Sequence, residues 1–95
     1  MVFLSKVELL TSLIDMALRS SEFQAKASAL PLELLREAVE EELGERRIPV
    51  NVVDVHLPAN SPSGTYEVIW QPAGGGNFQR QSFYINTLPA IRDGK

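Results

Sequence analysis

The chain has 95 residues, of which 44% are hydrophobic and 22% charged, and its formal net charge is −3. This length suits a single domain with a modest core, and the apolar content with low net charge argues against disorder. The absence of cysteine excludes disulfides, thiol catalysis and cysteine-ligated zinc or iron–sulfur sites.

The N-terminal stretch is amphipathic and predicts a helix over residues 5–20. Ser5 and Glu8 have the S-x-x-E spacing of a capping box. Lys6, Glu8 and Asp15 interrupt the apolar residues, so we expect neither a secretory signal nor a membrane span, but a soluble, cytoplasmic protein. The apolar arc of this helix covers roughly 200°, about twice the stripe of an ordinary surface helix.

The breadth of that arc carries the main functional expectation. One packing partner covers about 100° of a helix, and the remainder would leave a contiguous apolar patch in solvent, which monomers rarely tolerate. We therefore predict a homodimer with this helix in its interface; coverage by a later helix of the same chain is the rival explanation. The candidate interface residues are Leu9, Leu13, Met16 and Leu18.

The segment over residues 20–30 is rich in small side chains. Ser21 with Gln24 repeats the capping-box spacing, so a short helix over 21–29 is predicted, with a loop as the alternative. Leu30 precedes a proline and is pushed towards extended geometry, which ends this segment.

An ordinary amphipathic helix is predicted over 31–43. Pro31 suits the first helical position, and Gly44 suits the left-handed position just past the last turn. Residues 31–47 hold six acidic side chains against three arginines and so account for the whole net charge. A solvated acidic face is the usual meaning of such a segment, and the lack of a basic stripe disfavours nucleic-acid binding.

After Pro49 the apolar period changes to two and predicts strands. The expected strands are residues 50–57, 65–71 and 78–86, with a loose tail over 89–95. Connections this short permit only an antiparallel meander. The predicted fold is therefore one α+β domain over residues 1–95, with two or three N-terminal helices followed by a three-stranded antiparallel sheet.

Facing apolar residues suggest a register for both hairpins. The first hairpin is expected to pair Leu57 with Tyr66, Val55 with Val68 and Val53 with Trp70 on the core face. On the opposite face, which also holds Val52, the same register pairs His56 with Glu67 and Asp54 with Ile69. The second is expected to pair Tyr66 with Phe83 and Ile69 with Arg80. The second register stays open because it turns Gln79 and Gln81 towards the core.

These registers gather polar side chains on the other face of the sheet, around Ile69. The candidate binding residues there are Asp54, His56, Glu67, Arg80 and Tyr84. A carboxylate beside His56 could orient the imidazole for acid–base work, but no motif positions a nucleophile to complete a catalytic set. A solvated face with one cross-strand pair is the simpler interpretation. One histidine with scattered carboxylates has no metal-ligand spacing, so neither a metal nor a cofactor is expected.

The sequence favours a small non-enzymatic protein that acts through protein–protein association, most simply as a homodimer. The alternative is a small-ligand-binding protein or simple enzyme. That alternative would use the sheet face that carries Asp54, His56, Glu67 and Arg80.

Overall fold

The structure, a computed structural model, describes residues 5–60 and 64–85. Three helices come first: α1 (Lys6–Arg19), α2 (Ser21–Ala27) and α3 (Leu32–Glu45). Three strands follow: β1 (Val50–His56), β2 (Thr65–Pro72) and β3 (Gln79–Tyr84). Neighbouring strands pair antiparallel in the order β1-β2-β3. The predicted α+β fold, with N-terminal helices before a three-stranded meander, is confirmed.

Several element bounds differ from those predicted. The short helix expected over 21–29 forms and ends at Ala27, while α3 continues past the predicted end at residue 43 to Glu45. β3 ends at Tyr84, before the predicted end at residue 86, and the tail predicted over 89–95 lies outside the described residues.

Serine side chains cap the first two helices. Ser5 Oγ accepts from Glu8 N at 3.1 Å and the Glu8 carboxylate accepts from Ser5 N at 2.9 Å, which is the predicted capping box. The second predicted box, which ended on Gln24, does not form. Ser20 Oγ accepts from Phe23 N at 3.2 Å instead, because Ser20 is the extended residue between the two helices, where an N-cap must lie.

One face of the sheet packs against the helices. α3 lies against β1 and α1 against β3, and buried apolar side chains from all six elements fill the space between them. Phe23 of α2 meets Phe83 of β3 edge-on, with ring centroids 6.5 Å apart. The outward residues of the opposite face are exposed or partly exposed, so the described elements form two layers.

The end of α3 is not set by Gly44, which was predicted to lie just past the last turn. Gly44 lies inside the helix, and Arg47 takes the left-handed conformation with φ of 59°. Ile48 N donates to Leu43 O and Arg47 N donates to Gly44 O, both at 3.0 Å, which is the bonding pattern of a Schellman motif. Leu43 and Ile48 are both buried in the core. The burial of this apolar pair, rather than the glycine, therefore decides where α3 ends.

Both hairpins keep most of the predicted register. The pairs found as predicted are Val55–Val68, His56–Glu67, Asp54–Ile69, Tyr66–Phe83 and Ile69–Arg80. Gln81 is accommodated on the helix side because Oε1 accepts from Trp70 Nε1 at 3.1 Å and Nε2 donates to Thr11 O at 3.0 Å. Gln79 Nε2 donates to Asn77 O at 3.3 Å. The two glutamines are thus compatible with the second register because both amides are hydrogen-bonded.

A β-bulge in β1 overturns part of the first hairpin prediction. The register shifts between Val52 and Asp54, so Val53 is the extra residue and Val52 lies opposite Trp70. Val52 is 6% exposed and Val53 is 46% exposed, the reverse of the predicted faces. Leu57, also expected to face the core, follows the last residue of β1 and is 51% exposed. Alternation alone cannot reveal a bulge, because one inserted residue exchanges the faces of every residue beyond it.

Val68→Ala should lower the free energy of unfolding by on the order of 1–3 kcal/mol, because Val68 is fully buried at the centre of the sheet. Val53→Ala removes the same methyl groups from the bulge, where the side chain is largely exposed. It should change the stability by less than about 0.5 kcal/mol. Urea unfolding measures both variants, and equal effects would show that the bulge lies elsewhere.

Arg47→Gly should stabilise the protein by about 0.5–1 kcal/mol, because glycine adopts a positive φ without the Cβ clash that strains other residues there. Arg47→Ala removes the charge but keeps the Cβ, so it is the matched control and should give no comparable gain. Thermal and urea unfolding compare the two. An equal gain from both substitutions would assign the effect to charge rather than to backbone strain.

Candidate functional site

The sheet face opposite the helices, the outer face, carries the polar residues predicted from sequence. Its residues include Asp54, His56, Thr65, Glu67, Ile69, Arg80, Ser82 and Tyr84. His56 lies between two carboxylates: Nδ1 is 2.9 Å from Asp54 Oδ2, and Nε2 is 2.9 Å from Glu67 Oε1. Asp54 stands two positions before His56 on β1 and Glu67 stands directly opposite on β2. Strand alternation and register together therefore build this cluster.

This arrangement orients the imidazole but occupies both of its nitrogens. A general base or a metal-ligating histidine needs a ring nitrogen whose lone pair faces the substrate or the metal. Both nitrogens of His56 face carboxylate oxygens at hydrogen-bond distance, and both can donate together only in the imidazolium form. The geometry suits a cross-strand tie between β1 and β2 better than proton transfer to a substrate.

Arg80 and Tyr84 share the outer face but stand apart from the His56 cluster. Arg80 lies opposite Ile69, and Tyr84 lies opposite Thr65 near the other end of the hairpin. Within the described residues, neither side chain forms a hydrogen bond or ion pair with the cluster. Of the five predicted binding residues, the structure thus brings together Asp54, His56 and Glu67. The other two, Arg80 and Tyr84 on β3, remain separate from them.

The apolar arc of α1, which holds the predicted interface residues, is mostly covered within the chain. Leu18 is 1% exposed and belongs to the core, and Leu13 is partly buried against it. α1 contacts β3, α2 and α3, so several elements share the arc, including the helix named as the rival cover. Leu9 and Met16 remain 48% and 66% exposed. Two such side chains are ordinary on a monomer, so α1 alone does not carry the dimer prediction.

The outward edge of β3, which pairs with no other strand in the part of the chain that the structure describes, was not predicted from sequence. Ile85 N donates to Gly64 O at 2.9 Å. Backbone direction alternates along a strand, so the N–H and C=O groups of residues 79, 81, 83 and 85 point towards β2. The alternate residues Arg80, Ser82 and Tyr84 therefore direct their backbone N–H and C=O groups away from the sheet. Pairing with β2 is regular along the whole of β3. Such an edge is a template for a further strand.

One end of this edge is already occupied by α2. Gln24 Nε2 donates to Tyr84 O at 2.7 Å and to Leu18 O at 2.8 Å. For the outward backbone groups of Arg80 and Ser82, no hydrogen-bond partner is found among residues 5–60 and 64–85. The available part of the edge is therefore the short stretch around these two residues.

The opposite edge of the sheet is built differently. The bulge at Val53 breaks the regular spacing of the outward groups of β1, a common means of preventing edge-to-edge pairing. The acidic helix α3 also lies against β1, whereas the only charged residue of β3 is Arg80. The two edges thus differ both in regularity and in charge.

A cleft of about 500 Å³ opens along the β3 edge, beside the C-terminal half of α1. Its lining residues are Asp15, Leu18, Arg19, Gln24, Thr65, Ser82, Phe83 and Tyr84. Leu18 and Phe83 are buried and supply its apolar surface. Arg19 Nε lies 3.1 Å from Asp15 Oδ2, so an ion pair also contributes to the lining. The cleft therefore combines an apolar floor with polar groups at the strand edge.

A smaller cleft of about 300 Å³ includes residues of α2 and α3. Lys26 Nζ lies 3.1 Å from Glu41 Oε1 in this cleft. The hydrogen bond to Glu41 is the main reason that the pKa of Lys26 is raised above its ordinary value, and desolvation opposes it in part. Lys26 is therefore cationic at neutral pH and links the two helices.

Three further observations bear on function. In the part of the chain that the structure describes, no group of three or more histidine, cysteine, aspartate or glutamate side chains could hold a metal ion. Among the helices of residues 5–60 and 64–85, none has the length and apolar character needed to cross a membrane. Comparisons with protein-family models, curated proteins and solved structures find no match to this chain.

His56→Ala should lower the free energy of unfolding by less than about 1 kcal/mol, because a partly exposed cross-strand pair contributes about 0.2–1 kcal/mol. A double-mutant cycle with Glu67→Gln isolates the coupling between the two side chains. The same cycle with Asp54→Asn is the control and should give a smaller coupling, because Asp54 is 53% exposed and Glu67 18%. A coupling of several kcal/mol, measured by urea unfolding, would contradict the simple tie and point to a functional cluster.

Proposed function

We propose that the protein functions through protein–protein association and that its partner is a second copy of the same chain. The observation that carries the proposal is the regular stretch of β3 whose outward backbone groups have no hydrogen-bond partner among residues 5–60 and 64–85. An antiparallel edge strand is complementary to its own two-fold copy, because the same alternation of donors and acceptors runs along both chains. Pairing through β3 would join two three-stranded sheets into one sheet of six strands.

Electrostatics favour β3 over β1 as the contact. α3 carries six glutamates and one arginine and lies against β1. Pairing through β1 would bring two acidic helices together. Pairing through β3 would place the two β1 strands at opposite ends of the joined sheet, roughly 24 Å apart at about 4.8 Å per strand. That distance is about three times the Debye length of ~8 Å at physiological ionic strength, so repulsion between the two helices is largely screened.

The size of the chain supports the same partner. A domain of this length buries a smaller fraction of its surface than a larger one, and two-fold pairing buries more without any new element. The exposed aromatic residues Phe78 and Tyr84 flank the available part of β3 and would be partly covered. Because the strand contact is short, we expect weak association, on the order of micromolar or weaker.

The second candidate is a small-ligand-binding protein or simple enzyme that uses Asp54, His56, Glu67 and Arg80. The convergence of two carboxylates on His56 supports it. It is the weaker candidate because both ring nitrogens are engaged and Arg80 has no bond to the cluster among the described residues. It would be favoured if the chain stays monomeric while the ring-proton NMR signals of His56, the single histidine, shift on addition of a small molecule.

Light scattering over a concentration series should show a mass that rises from 10.5 kDa towards twice that value. Ser82→Pro should suppress the rise, because it removes an outward N–H and places a ring where the second strand would lie, without removing a hydrogen bond to β2. Ser82→Ala keeps the N–H and should associate like the wild type. A wild-type mass that stays at one chain well above micromolar concentration would sink the proposal.

Amide hydrogen exchange gives the same test at single residues. The outward amides of Arg80 and Ser82 should become protected as the concentration rises, since they gain partners only in the dimer. The amide of Gln81 points towards β2 and is the internal control, with protection that does not depend on concentration. Concentration-dependent mass without protection at the two outward amides would place the interface away from β3.

A further inference from the structure

We infer that the second copy pairs with β3 about a two-fold axis at Gln81, so that Arg80 of each chain lies opposite Ser82 of the other. This inference rests on the proposed self-association and adds its register. In this register each Arg80–Ser82 pair forms two backbone hydrogen bonds, because each residue donates its N–H to the C=O of the other. The two symmetry-related pairs together use all the outward backbone groups that the available stretch offers.

The alternatives are excluded by charge and by an existing hydrogen bond. In an antiparallel two-fold pair, residues whose backbone groups point outward must lie opposite each other. The axis therefore passes through a residue of β3 and not between two residues. An axis at Arg80 sets two guanidinium groups opposite each other, a destabilising like-charge pair. An axis at Ser82 or beyond needs the backbone of Tyr84, whose carbonyl already accepts from Gln24 Nε2 at 2.7 Å. An axis at Gln81 avoids both conflicts.

The same register brings the exposed aromatic residues together. Phe78 directly precedes β3 and is 63% exposed, and Tyr84 is 59% exposed. With the axis at Gln81, Phe78 of one chain lies opposite Tyr84 of the other, and cross-strand aromatic pairs are favourable.

A charge introduced at position 82 tests the register. Ser82→Glu would place a carboxylate opposite Arg80 twice per dimer, and Ser82→Lys an ammonium. We expect Ser82→Glu to lower the dimer dissociation constant about two- to thirty-fold and Ser82→Lys to raise it by a similar factor. The change in net charge alone acts in the opposite direction, because the chain is already at −3. Sedimentation equilibrium measures both constants, and weakening by both substitutions would overturn the register, since each new charge would then face its own copy.

Disulfide trapping tests the same geometry without added charge. The chain has no cysteine, so introduced thiols report without background. When Arg80→Cys and Ser82→Cys chains of different tag length are mixed and oxidised, we expect them to crosslink with each other, because opposite Cα atoms lie about 5.5 Å apart. Preferential self-crosslinking of either variant would overturn the register while leaving the dimer in place. A monomeric wild type with no crosslink in any mixture would instead remove the self-association itself.

Discussion

The amide of Gln81 fixes the two layers of the molecule relative to each other. Its Oε1 accepts from Trp70 Nε1 on β2, and its Nε2 donates to Thr11 O in the middle of α1. Left unpaired in a protein interior, a group of this kind costs about 1–3 kcal/mol, so the two bonds select one placement of α1 over the sheet. Apolar contacts are non-directional and would tolerate a sliding helix. The free edge of β3 and the cleft beside it both depend on where this amide holds α1.

Within residues 5–60 and 64–85 nothing covers the outer face, because all three helices pack on the other side of the sheet. The polar residues on that face therefore stay near water, and the strongest arrangement they form is local: His56 between two carboxylates of the first hairpin. This tie stiffens the β1–β2 pair while β3 is held by the helices through Gln24 and Gln81. Side-chain contacts between strands thus stabilise the β1–β2 pair, whereas hydrogen bonds to the helices hold β3 in place.

Local signals in the sequence predicted what local interactions determine. The capping box at Glu8 and the alternation that brings His56 beside Glu67 each depend on residues close in sequence or on a simple period. The bulge at Val53 could not be predicted, because any residue of a β-branched run can be the inserted one. The contact of Gln24 with β3 joins residues sixty positions apart, so no pattern in the sequence marks it. That contact decides which part of the candidate edge is available.

The extra residue in β1 would limit the size of any assembly that formed through the edges of the sheet. A sheet with two regular free edges can add a chain at each side and grow without limit into a fibre. The bulge at Val53 makes the two edges of this sheet unlike, and only β3 keeps the even spacing that another strand can match. Association through β3 would use up that edge in both chains at once. If the proposed association holds, this one inserted valine would limit the assembly to a closed pair instead of an open-ended polymer.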